Sequence, residues 1–307
     1  KGSIAGKLTS PLIEGSLAAP NKFTVKLKGD KKPFRVDLGD IKSKWAFDTK
    51  SGNLSFVDIE GMIAHGLIAG EAAIGVLTSP PVHTCEFLFA DMNVDKFLRR
   101  GANIGGLVKG TFGLEFKGKL TGGLETLEGS GLTDIYDCEL NGSKLITVAG
   151  FDKFLPKKDK SHKKLGNLLL QVATEGLLSE SSGGQKLLRV RDVLHHRFGF
   201  GQVSGQIEAK DGKLVVAPVT SKEGKSSLSG SLKVGLADLT IDGRTSFRLV
   251  REPDVLTIKD LTVKGTLSAP EFDLPRGPLN SFKFRSLTKD ANIKKPTSET
   301  NSVIIER

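Results

Sequence analysis

The chain is poor in several residue types on which common chemistries depend. It has one Trp and one Tyr in 307 residues. Carbohydrate clefts recruit both residues for their polar handles, so the shortage weighs against a sugar-processing enzyme. It has two cysteines, Cys85 and Cys138. Two cysteines make no disulfide framework, and neither CxxC nor a Cys/His ligand spacing occurs, so no zinc or redox motif is present. No apolar run approaches the roughly 20 residues of a membrane-spanning helix. The chain begins at Lys1 without a Met or a signal peptide, which reads as an excised or processed piece, so any membrane anchor upstream would be invisible.

Reactive motifs are missing too. His195 and His196 are adjacent, so they cannot share a helix face. The helical zinc-protease pattern does not occur, and neither does the G-x-S-x-G elbow. "EGKSS" (residues 223 to 227) resembles the end of a phosphate loop, but Val219 stands where the upstream Gly belongs. "GANIGG" (residues 101 to 106) lacks the strand-turn-helix setting of a dinucleotide site. No catalytic residue, metal ligand or cofactor is therefore expected, and the chain reads as a non-enzyme.

What is abundant is glycine, 36 residues, and phenylalanine, 17. The net charge of +10, from 45 Lys+Arg against 35 Asp+Glu, favours an anionic partner such as nucleic acid or the head groups of phospholipid or lipopolysaccharide. The one dense basic cluster, "PKKDKSHKK" (residues 156 to 164), has no interleaved aromatics. A nucleic-acid partner is not expected.

Alternation dominates the rest. Phe23, Val25 and Leu27 alternate with polar residues, and Ser51-Gly52-Asn53 marks a turn. From Met62 to Val76 the even positions, Ile68 and Ile74 among them, share one parity and read as one long segment. In "VHTCEFLFA" (residues 82 to 90) one face holds His83, Cys85, Phe87 and Phe89. Asn93 caps a short helical turn over 93 to 101. Phe112, Leu114 and Phe116 share the next face, and Asn141-Gly142 is a hairpin signal. Two Leu-rich segments, residues 164 to 178 and 185 to 198, have helical spacing, with Gly183-Gly184 between them. Then Val203 to Ala209 runs into Asp211-Gly212, a second hairpin signal. Leu232, Val234 and Leu236 form one face before the parity flips to Ile241 and Phe247. Connections this short require antiparallel neighbours.

These patterns predict a mainly β fold: an antiparallel curled sheet, a groove or elongated meander, with a small helical insert. They divide the chain into an N-terminal β segment (1–60), a first β block (61–155), the helical insert (156–198), a second β block (199–275) and a polar, irregular tail (276–307). Cys85 and Cys138 are expected to be free, buried thiols.

The order of elements resembles the C-terminal region of the AsmA family, relatives of TamB in Gram-negative envelopes. The stretches that carry it are "FADMNVDKFLRRG" leading to "GLVKGTFGLEFKGKL", then "LEGSGLTDIYDCELNG". After the insert come "FGQVSGQIEAKDGKLVVAPVTSKEGKSSLSGSLKVGLADLTIDGRTSFRL" and "VKGTLSAPEFDL". The family's features map onto Gly129-Ser130-Gly131, Phe200, Asp211-Gly212, Asp238 to Asp242 and Gly265 to Leu274. The likeness covers about residues 50 to 275. It departs from the family in lacking the N-terminal membrane helix and in carrying the tail after Pro275.

The resemblance implies a periplasmic protein, held at the inner membrane by an anchor outside this chain and working with envelope proteins. An apolar β-groove would shelter acyl chains during lipid transport, or support outer-membrane assembly. Burial of roughly 0.8 kcal/mol per CH₂ lets such a groove hold phospholipid or another acyl-chain lipid without directional contacts. The expected floor is Ile68, Ile74, Phe112, Leu114, Phe116, Leu232, Val234, Leu236, Ile241 and Phe247. Two alternatives remain from the residues alone: a closed β-sandwich scaffold without ligand, and a β-helical enzyme acting on polysaccharide. The hairpin signals count against the second.

Overall fold

The computed structural model describes residues 2–7, 10–27, 33–77, 79–153, 155, 182–274 and 281–286. Its strands are β1 (Gly2–Lys7), β2 (Ser10–Ala19), β3 (Phe23–Leu27), β4 (Phe34–Asp48), β5 (Asn53–Ile63), β6 (Gly66–Gly75), β7 (Val82–Asn93) and β8 (Val108–Thr121). They continue as β9 (Glu128–Asn141), β10 (Arg197–Lys210), β11 (Lys213–Glu223), β12 (Ser227–Gly235), β13 (Thr240–Arg251), β14 (Asp254–Thr266), β15 (Ala269–Asp273) and β16 (Phe282–Ser286). Among the described residues three α-helices interrupt them: α1 (Val94–Gly101), α2 (Gly142–Val148) and α3 (Ser182–Leu194).

All sixteen strands join one antiparallel sheet in nearly sequential order, and the sheet is curled and not closed. Short connections explain the order, because a tight turn can only return the chain beside the strand it has left. The two alternatives fail here. Among the described residues there is no second sheet to make a sandwich, and no parallel pair to make a β-helix. β4 and β14 are long enough to take two short neighbours each on one side: β2 and β3 on β4, β15 and β16 on β14.

Turns at one end are tight hairpins. Asp211 and Gly212 both have positive φ, 51° and 70°, and join the paired residues Lys210 and Lys213, the type I′ geometry that Asp-Gly favours. The opposite end carries the helices. Asn93 accepts from Lys96 N at 2.9 Å and starts α1. Phe97 of α1 stands edge-on to Phe34 of β4, with ring centroids 5.4 Å apart. α1 thus spans from its parent strands β7 and β8 back to β4. A flat sheet would put β4 and β7 roughly 14 Å apart, a gap that the helix bridges.

At the same end α2 and α3 cover β9, β10, β14 and β16. Leu187, Val190, Val193 and Leu194 are buried on one face of α3. They join Leu145, Phe151, Phe198, Phe200, Leu249, Leu256, Ile258 and Phe282 in the main core. Phe151 meets Phe282 edge-on at 5.4 Å, and Arg189 lies over the Phe284 ring at 5.8 Å.

Several sequence expectations need correction. The run from Met62 to Val76 is two strands, turned at Ala64-His65, both at positive φ (47° and 68°). Asn141-Gly142 is no hairpin: the Asn141 side chain accepts from Lys144 N at 3.2 Å and caps α2. Gly183-Gly184 lies inside α3 instead of separating two helices, and Arg197 and Phe198 already belong to β10. The segment 164 to 178 lies outside the described residues. The boundary at 60/61 falls within β5. Part of the supposed irregular tail is a strand: β16 pairs with β14, and Phe282 is fully buried because its ring packs on Phe151 beside α3.

Candidate functional site

Cross-strand pairing places alternate residues of every strand in rows on one face. One row runs Ile59, Gly70, Phe87, Phe116, Gly131, Ile207, Val216, Leu232, Gly243, Val263, Phe272. The next, toward the hairpin end, runs Phe56, Ala72, Cys85, Gly118, Gly129, Ala209, Leu214, Val234, Ile241, Gly265. Neither row contains a charged residue over ten or more strands. The interleaved residues on the other face are Glu71, Glu86, Lys117, Ser130 and Glu208 in one row, all exposed. The sheet therefore has an apolar inward face and a charged outward face.

Glycine shapes the floor. A Cβ on Gly118 or Gly129 would lie 2.7 Å from the Phe116 ring, and one on Gly70 would lie 2.7 Å from Phe87 Cδ1. The rings can lie along the sheet only because their neighbours have no side chain. Flat rings over glycine make a smooth apolar surface, which is one use of the high glycine content.

Nine of the ten expected floor residues fall on this face, in different surroundings, and the tenth, Leu236, lies outside the strands. Val234 and Ile241 are direct partners, and Phe89 stands between Ile68 and Leu114. Phe116 and Leu232 share a row four strand steps apart, roughly 19 Å at the usual spacing. Ile74 is 36% exposed near the hairpin end, whereas Ile241 is buried at 7%. Leu236 lies in the turn after β12, its N–H donating to Gly212 O at 2.9 Å. Phe112 faces Met92 and Ile135 toward the helix end. Phe247 packs on the main core, with its ring 6.1 Å from Phe200, so it supports the floor from within the packed end. Phe87, Phe89, Ile207 and Val216 complete the surface. Their alternation carried the same signal as that of the residues selected.

Polar groups on the inward face are few. His83 stands between Ile74 and Leu120, and its Nδ1 is buried without a hydrogen-bond partner among the described residues. Together with Ala72, Ile74, Cys85 and Leu120 it lines a small recess of 300 Å³. Cys85 and Cys138 are free thiols. Burial raises the Cys85 thiol above its ordinary value and pushes Cys138 up to about 11. Cys138 is buried, whereas Cys85 is only half-buried, because its inward face has no layer above it. Among the described residues no group of three or more His, Cys, Asp or Glu is placed to hold a metal ion.

A broader depression, 830 Å³, is lined by Glu71, Glu86, Glu115 and Lys117 together with Ile59, Phe87 and Phe116 of the apolar row. Lys117 Nζ lies 2.8 Å from Glu86 Oε2 across it, and the Glu86 carboxylate holds the Lys117 ammonium above its usual value.

No protein-family model, curated protein or solved structure matches the chain. Function must be argued from the chemistry of the sheet.

Proposed function

We propose that the protein is an AsmA-like envelope protein that shelters acyl chains on the inward face of its sheet. The role is binding, without catalysis. The observation that carries the reading is the pair of uncharged rows, from Phe56 and Ile59 across to Gly265 and Phe272, on a sheet that is not closed. An apolar surface on this scale favours a partner that removes it from water. The rows offer aliphatic and aromatic carbon with no directional groups, which suits methylene chains. In the full protein this sheet would stand in the periplasm, anchored at the inner membrane, passing phospholipid or a related lipid toward the outer membrane with envelope proteins as partners.

The test is native mass spectrometry of detergent-free protein, wild type against Phe116→Glu and Leu232→Glu. Copurified lipid in the wild type and its loss in both variants, with far-UV circular dichroism unchanged, is the expected outcome. A carboxylate at either site reaches solvent when lipid is absent, so the fold survives, whereas in a dry core an unpaired charge costs several kcal/mol. Folded variants that retain lipid as the wild type does, or a wild type that takes up none, would remove the reading.

A further inference from the structure

A second cleft has the opposite character. It measures 460 Å³ and lies between α1, the Ala64-His65 turn, β3 and the start of β4. Five cationic side chains line it, Lys22, Arg35, Lys96, Arg99 and Arg100, against the single carboxylate of Asp37. That carboxylate is already engaged. Asp37 Oδ1 accepts from Thr24 Oγ1 at 2.7 Å, and Oδ2 lies 3.4 Å from Arg100 Nε. Arg99 is held by Asp95 at 2.7 Å. Among the described residues Lys22, Arg35 and Lys96 have no ion-pair partner. Phe23, 43% exposed, and Phe97 stand in the same lining.

We propose that this cleft binds a phosphate-bearing amphiphile. The phosphate is held by Lys22, Arg35 and Lys96, and its apolar substituent lies on Phe23 and Phe97. Uncompensated cations gathered in a concave site repel one another until an anion enters. Guanidinium and ammonium groups then make charge-assisted hydrogen bonds to phosphate oxygens. Phe23 adds what a simple anion would leave unused, an aromatic face exposed beside the charges. The cleft is lined by residues outside the uncharged rows, so this proposal stands apart from the acyl-chain reading.

The probe is dihexanoyl phosphatidic acid below its micelle concentration, titrated calorimetrically into the full chain. Lys22→Glu/Arg35→Glu/Lys96→Glu should weaken binding by roughly tenfold or more. Reversing two exposed outward lysines of the second half, Lys233→Glu/Lys264→Glu, should change it by less than about twofold. Inorganic phosphate should bind at least about tenfold more weakly than the amphiphile. If the triple variant loses its fold, Lys96→Met and Arg35→Met, which keep the apolar stems, replace it and should each weaken binding severalfold. Unchanged affinity in the folded variants would overturn the proposal, as would inorganic phosphate binding as tightly as the amphiphile.

Discussion

The two ends of the same sheet are built differently. At the helix end, inward residues such as Leu249, Leu256 and Ile258 are fully buried, because α2, α3 and the extra strand β16 lie against them. Toward the hairpin end, Phe116, Leu232 and Val234 continue the same alternation and the same residue types, yet stay only partly covered. Period-2 patterning therefore decides which face is apolar. It does not decide whether that face is covered, because the covering elements come from inserts between strands.

The sharpest way to break this comparison is to put one charge at each end. Leu249→Glu places a carboxylate where the side chain has no exposed surface, inside a cluster of buried hydrophobic residues. An unpaired buried charge costs several kcal/mol, enough to unfold a marginal domain. Leu232→Glu, on the open floor, should keep its circular-dichroism spectrum and melt within a few degrees of wild type. Equal damage from both would mean that the hairpin end is as tightly covered as the helix end.

A gentler version removes carbon instead of adding charge. Phe282→Ala empties a site beside α3, where the ring meets Phe151 edge-on. The expected loss is about 3–5 kcal/mol in urea denaturation. Phe116→Ala should lose less, about 1–2 kcal/mol, since part of its ring surface is already in water. A small effect at Phe282 would show that the strand after Pro275 is not part of the core.

Much of this was legible in the sequence, and the misses have particular causes. Asp211-Gly212 and Asn93 were readable because their local chemistry has one strong outcome each, a type I′ turn and a helix cap. Asn141 was ambiguous, since the same side chain favours turns and N-caps. The burial of Phe282 was hidden because its segment is short, polar around it, and paired only by virtue of the length of β14.

The parity breaks carried a signal that went unread. Asp40, Asp58, Asp91, Asp137 and Asp260 all have φ between 50° and 57°, and each sits where a strand's register shifts. Asp tolerates the left-handed region. Each bulge inserts an extra residue, restores the apolar parity beyond it and adds local twist. A strand-like run interrupted by Asp before an apolar residue, as in "VDI", "ADM", "YDC" and "KDL", would have revealed them. The positions of the floor residues depend on these bulges as much as on the alternation.

The least legible element gives the smallest prediction. The Ala64-His65 turn joins β5 to β6 with two residues at positive φ and no glycine or asparagine, so nothing in its composition announced a hairpin. Tertiary contacts hold it: Ala64 N donates to Asp37 O at 3.3 Å and Ala64 O accepts from Asn93 N at 3.3 Å. The turn is thus clamped between β4 and the start of α1, and the clamp compensates the backbone strain. An alanine in this region is disfavoured by about 1 kcal/mol relative to glycine, while glycine's greater freedom in the unfolded chain takes back part of that. Ala64→Gly should therefore stabilise the protein by about 0.5 kcal/mol, read as a small rise in the urea midpoint with an unchanged slope. A fall in the midpoint would mean that the methyl group packs at the helix end and outweighs the strain, making this turn part of the covered region instead of a strained link at its border.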